Sequence, residues 1–114
     1  MSTSGWVGFD LDGTIAEYDG WMGPEHVGKP IPSMIKRIHG YLEQGVAVKI
    51  FTARASVPEQ VKHVEEWCIK HIGVKLPVTN QKDFGMVLLY DDRAKQVIPN
   101  KGIVVGESGE FTLR

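Results

Sequence analysis

A chain of 114 residues, 42% hydrophobic and 24% charged, is the size and make-up of one globular domain that buries its own core without staples. Its net charge of −1 gives no general attraction to nucleic acid or anionic membrane, although a local basic patch is compatible with it. Cys68 is the only cysteine, which excludes an intrachain disulfide, and no apolar run approaches the ~20 residues of a spanning helix.

The opening MSTSG lacks the basic-then-apolar layout of a signal peptide, so a cytoplasmic location is expected. Residues 6–11 (WVGFDL) are an apolar run, read as a strand buried on both faces. Residues 15–30 (IAEYDGWMGPEHVGKP) hold Gly20, Gly23, Gly28, Pro24 and Pro30, which predicts an irregular excursion. From 31 to 44, Ile31, Met34, Ile35, Ile38, Tyr41 and Leu42 recur at helical spacing, with Gly45 as C-cap. VAVKIF at 46–51 is a second strand. Pro58 suits the first turn of a helix whose buried stripe is Val61, Val64, Trp67, Cys68 and Ile72, ended by Gly73. On that stripe Cys68 is core filling, not a nucleophile. Strands follow near 76–79, at 86–90 (MVLLY) and at 102–106 (GIVVG), and ESGEFTLR reads as a turn and a final edge strand. The alternation predicts a single α/β domain over 1–114: a doubly wound, Rossmann-like, mostly parallel sheet with helices on both faces. Ligands of such folds sit beyond the carboxyl ends of the strands.

Three of those ends carry polar residues that suit one chemistry. The first strand runs into Asp10-Leu11-Asp12-Gly13-Thr14, the second into Thr52-Ala53-Arg54, and the strand at 86–90 into Asp91-Asp92-Arg93; Lys82 stands shortly before the last. Asp10 and Asp12, at i and i+2, point to the same side. Strands lie roughly 4.8 Å apart, so Asp91 on a neighbour would face Asp10 closely. Two carboxylates at 4 Å repel by about 4 kcal/mol at an effective dielectric of 20. Four acids in one pocket therefore call for a cation, and all-oxygen ligands favour Mg²⁺ over zinc. A metal flanked by Thr52, Lys82 and backbone amides around Gly13 suits a phosphate group.

At these residues the sequence resembles the haloacid dehalogenase (HAD) superfamily of phosphotransferases. GFDLDGT, IFTAR, Lys82 and LLYDD follow one another in that family's order and cover most of the chain. The resemblance implies a first strand at the sheet centre and Asp10 as the nucleophile that becomes an aspartyl-phosphate. It makes Asp12 the acid and base, and it gives Thr52 and Lys82 the phosphoryl oxygens, beside a phosphate-binding set of Gly13, Thr14, Ala53 and Arg54. Mg²⁺ would bind Asp10, the backbone carbonyl of Asp12, and Asp91, with Asp92 close by. Asp at position 12 belongs to the phosphatase branches and not to dehalogenation. The cap domain common in the family has no counterpart here; only the 15–30 flap could act as a lid, which implies a large substrate or a cover borrowed within a homo-oligomer. Asp-Asp-Arg, Thr-Ala-Arg and the closing Gly-Glu-Phe are also similar, more loosely, to the 3′-phosphatase domain of polynucleotide kinases.

The expected function is Mg²⁺-dependent hydrolysis of a phosphomonoester carried by a small molecule or a macromolecular end, with nucleic-acid 3′-phosphatase as the alternative. From another class come a catalytically idle HAD-like binding module and a receiver-like phosphoacceptor domain. A receiver places its acidic pair first and its acceptor Asp mid-chain, the reverse of the order here. On the flap, Tyr18 and Trp21 could stack on a base or sugar or simply pack the loop, and His26 could touch substrate. Arg54 and Arg93 suit a second anionic group, or a salt bridge to a neighbouring acid.

Overall fold

The computed structural model describes residues 5–107. Strands β1 (Trp6–Phe9), β2 (Ala47–Phe51), β3 (Val78–Thr79) and β4 (Met86–Tyr90) form one sheet in the order β3-β2-β1-β4, with every pairing parallel. Helix α1 (Pro32–Glu43) links β1 to β2, and α2 (Pro58–His71) links β2 to β3. β1 thus lies between β2 and β4, and the strand order reverses beside it. Ligands of open α/β sheets bind at such a reversal.

Both helices begin with proline in the first turn, where its missing N–H costs nothing. Each ends at a glycine with positive φ, Gly45 (76°) and Gly73 (97°). Their apolar stripes meet the sheet: Ile38 of α1 and Val64, Trp67 and Cys68 of α2 share one cluster with Val7, Phe9, Val48 and Ile50. Burial pushes the Cys68 thiol up to about 12, so it fills space without reacting.

Val7 pairs with Val48 and Phe9 with Ile50, so these side chains share a face, and both helices pack on it. The steps β1→β2 and β2→β3 run the same way across the sheet, and right-handed crossovers then carry both helices over one side. Residues 80–85, between β3 and β4, form no crossover helix. The expectation of helices on both faces is therefore met on one among the described residues. On the other, the Trp6 ring lies close over Gly8, with Lys49 Nζ 4.7 Å from the ring centroid.

The expected strand at 102–106 does not form. Gly102 and Gly106 take positive φ (66° and 78°), which breaks the extended run. What remains is a small hairpin: Ile98 N–H donates to Ile103 O (2.8 Å) and Val105 N–H to Gln96 O (2.9 Å), around a single Val97–Val104 bridge. The edge strand expected in the tail lies, apart from Glu107, outside the described residues. No helix among the described residues is long and apolar enough to cross a membrane.

Candidate functional site

Beyond β1 the chain folds into a tight turn. The N–H groups of Thr14, Ile15 and Ala16 converge on the Leu11 carbonyl at 3.2, 3.1 and 3.0 Å, and fully buried Leu11, Ile15 and Ala16 root the turn in the core. Gly13 has φ 90°, and a Cβ there would lie 2.6 Å from an Asp92 carboxylate oxygen; conformation and space both demand glycine. That close approach joins the loop after β1 to the loop after β4. The Thr14 hydroxyl stands 3.2 Å from Asp10 Oδ2 and 3.1 Å from Asp92 Oδ1, and it accepts the Asp92 backbone N–H at 3.0 Å. Thr14 thereby organises the acids and does not line the cavity. The Gly13 N–H donates to Ala16 O (2.8 Å), so the amides of Gly13 and Thr14 are engaged within the turn and not offered to a phosphate.

Asp10, Asp91 and Asp92 present oxygens that all lie within 4.8 Å of one another. Burial first, then the hydrogen bond with Asp92 and the charges of Asp91 and Asp92, push the Asp10 carboxyl up to about 7; Thr14 opposes the rise. Burial also works against the Asp92 carboxylate, but hydrogen bonds from Asp10 and Thr14 prevail and hold it low. The surroundings of this pair favour the proton on Asp10 over Asp92. This donor set, all oxygen and mutually repelling, fits a hard cation such as Mg²⁺, and its neutralisation would remove the need for that proton.

The Asp12 carboxylate does not join this trio. Arg54, only 5% exposed, donates from Nε and Nη2 to its two oxygens at 2.9 Å each. The same guanidinium donates to the carbonyls of Pro24 (3.2 Å) and His26 (3.0 Å) and stacks 4.9 Å from the Trp21 ring. Of the two uses expected for Arg54, the salt bridge is the one present, and the guanidinium is not held open for a second anion. It is placed by a 3₁₀ turn at Ala53–Ser56, which Thr52 caps by accepting the Arg54 backbone N–H at 3.2 Å. Accepting that bond leaves the Thr52 hydroxyl its own proton to donate.

The flap stands on a pinned base. Glu17 N–H donates to Lys29 O and Ile31 N–H to Ile15 O, both at 2.8 Å, around an Ala16–Pro30 bridge. Trp67 Nε1 donates to Gly28 O at 2.9 Å, and a Cβ at Gly28 would collide with the Glu17 carbonyl.

Between flap and strand ends lies a cavity of ≈ 470 Å³. Of the residues expected at the site, Asp10, Asp12, Thr52, Ala53, Arg54 and Asp91 line it, as do Tyr18, Trp21 and Arg93. Gly13, Thr14 and Asp92 are not among the lining residues. Lys82 is exposed and is not among the lining residues, so the structure does not gather it with the acids. Sequence reasoning missed Phe51, Ser56, Val57 and Gln60, which complete the wall. The available signal was positional: they flank the junction between β2 and α2, at the carboxyl edge of the sheet. A wider hollow of ≈ 570 Å³ beside α1, walled by Ile35, His39 and His71, contains none of the acids.

No protein-family model matches the chain, and no curated protein sequence does. Its structure is similar to that of a conserved protein from Bacteroides thetaiotaomicron, with a TM-score of 0.62 at 20% identity over 81% of this chain and 78% of the other. That likeness supports the α/β fold with its all-parallel sheet.

Proposed function

We propose that the chain is a Mg²⁺-dependent phosphomonoesterase of the HAD type, working through an aspartyl-phosphate on Asp10. One observation carries this reading. Two aspartates two residues apart have opposite surroundings: Asp10 sits among Asp91 and Asp92, whereas Asp12 is held away from them by Arg54. Carboxylates set apart in this way suit separate roles.

In this reading an Asp10 oxygen bonds to phosphorus as the bond to the leaving oxygen breaks, and Asp12, having first taken up a proton and released one of its two bonds to Arg54, hands that proton to the leaving oxygen. A water oxygen then bonds to phosphorus, its proton passes to Asp12, and the bond to Asp10 breaks to free phosphate. Asp10, Asp91 and Asp92, with the Asp12 carbonyl, would hold Mg²⁺, which when bound offsets charge between the nucleophile and the phosphoryl group. Thr52 would donate to a phosphoryl oxygen. Arg93 lines the cavity, and in this reading it would offset charge where the sequence suggested Lys82. The test is a panel of phosphomonoesters, a 3′-phosphorylated oligonucleotide among them, assayed with Mg²⁺ and with a chelator. Turnover of at least one compound with Mg²⁺ alone is expected; turnover of none would overturn the reading.

A further inference from the structure

We propose that the substrate carries a nucleobase on its leaving-group side, stacked against Trp21 and Tyr18 of the flap; this rests on the phosphatase reading above. A cavity of ≈ 470 Å³ has the size of a small-molecule site and exceeds what a phosphoryl group alone fills. Besides the acids and the polar groups already described, its lining includes the rings of Tyr18, Trp21 and Phe51, with Val57 and the amide of Gln60. Such a site accepts a planar apolar group with a few hydrogen-bonding atoms, as a base offers.

The two flap aromatics keep much of their surface open. Tyr18 is 40% exposed and Trp21 55%, although Ile15 and Ala16 at the flap base are fully buried. Trp21 is nevertheless braced from one side. The Arg54 guanidinium lies against its ring, and that same group holds Asp12, so the aromatic wall is tied to the residue that protonates the leaving oxygen. A surface held in place before binding loses little freedom when a ring stacks on it.

A matched pair of probes isolates the base: AMP and ribose 5-phosphate. Their kcat/KM ratio in wild type, with Mg²⁺, is expected at roughly 5–150-fold in favour of AMP, the range one base–aromatic stack supplies. In Trp21→Ala the ratio should collapse towards one, and Trp21→Phe should restore most of it. Taking the ratio within each variant cancels any effect on Asp12. Calorimetric titration of the chelator-treated protein with the same two compounds reads the stack without turnover, so it separates failure of this proposal from failure of the phosphatase reading. Equal affinity for AMP and ribose 5-phosphate, tighter binding of the sugar phosphate, or an AMP preference that survives in Trp21→Ala would overturn the proposal. A 3′-phosphorylated oligonucleotide assayed at rising salt then tells the source of the base: a steep loss of affinity marks a nucleic-acid end, and a flat response marks a mononucleotide.

Discussion

Arg54 binds Asp12 through two 2.9 Å hydrogen bonds and, with the same guanidinium, holds the carbonyls of Pro24 and His26, so the proposed acid and the flap share one fastening. A misplacement near 1 Å can cost about 10² in rate. Arg54→Ala is therefore expected to lower kcat by up to about 10² and to speed amide hydrogen exchange in residues 18–28. Arg54→Lys should not rescue either effect, because a point charge cannot reproduce the paired contact with both oxygens. Wild-type kcat in Arg54→Ala would show that the fastening has no part in turnover.

Asp12→Asn keeps the shape of the side chain and removes its proton transfer. General acid–base groups contribute roughly 10²–10⁴ in rate, so turnover should fall by that order. Because the second step needs the base, acid quenching should trap phosphate on the protein. Unchanged turnover in this variant would remove Asp12 from its role.

Stability should depend on pH through Asp10. Its carboxyl is raised from 3.8 to about 7 on folding, so the stability it contributes is fully present below about 3.8 and is lost as the pH rises through about 7. The metal-free chain is expected to melt at progressively lower temperature over that interval. Mg²⁺ should then raise Tm more above pH 7 than below pH 5, since a ligand stabilises most where its carboxylates are bare. Asp10→Asn should flatten the metal-free profile. A metal-free Tm that climbs through this interval, alike in wild type and Asp10→Asn, would contradict the assignment of the proton to Asp10.

Two glycine substitutions should differ in sign. Gly13→Ala puts a side chain where φ is 90° and Asp92 stands 2.6 Å away, a strain of about 1–3 kcal/mol that also displaces an acid. Gly40 lies inside α1 with open space around it, so Gly40→Ala should stabilise by roughly 0.5–1 kcal/mol. Thermal melts with and without Mg²⁺ check both: Gly13→Ala should lose Tm and much of its Mg²⁺ response, and Gly40→Ala should gain Tm and keep the response.

Long stripes and caps made much of this fold legible. Helices expected near 31–44 and from Pro58 appear at Pro32–Glu43 and Pro58–His71, and the MVLLY strand occupies Met86–Tyr90 as read. Periodicity reports which side of an element is buried, and both helices are long enough to show it. It is silent on GIVVG, whose apolar run looks like a strand until its flanking glycines turn the backbone. At the site, the order of motifs along the chain foretold that Asp10 and Asp91 would meet. It left open whether Arg54 would meet a second anion or an acid, and did not single out Asp12 across 42 positions, because that contact depends on a one-turn 3₁₀ segment with no period of its own. Lys82 shows the converse: its place in the order matched, but its side chain stays outside the cavity lining.

In the proposed reaction Asp10 is a metal-assisted nucleophile towards a phosphomonoester. Its most direct test is hydrolysis by wild type and Asp10→Asn on a substrate that the panel reveals, each with Mg²⁺ and with excess chelator, after circular dichroism has shown both proteins folded. Wild-type turnover that the chelator abolishes and Mg²⁺ restores is expected, with no turnover by Asp10→Asn in either condition, because a carboxamide is no nucleophile and a poorer metal ligand. Turnover undiminished by the chelator, or retained in Asp10→Asn, would contradict it.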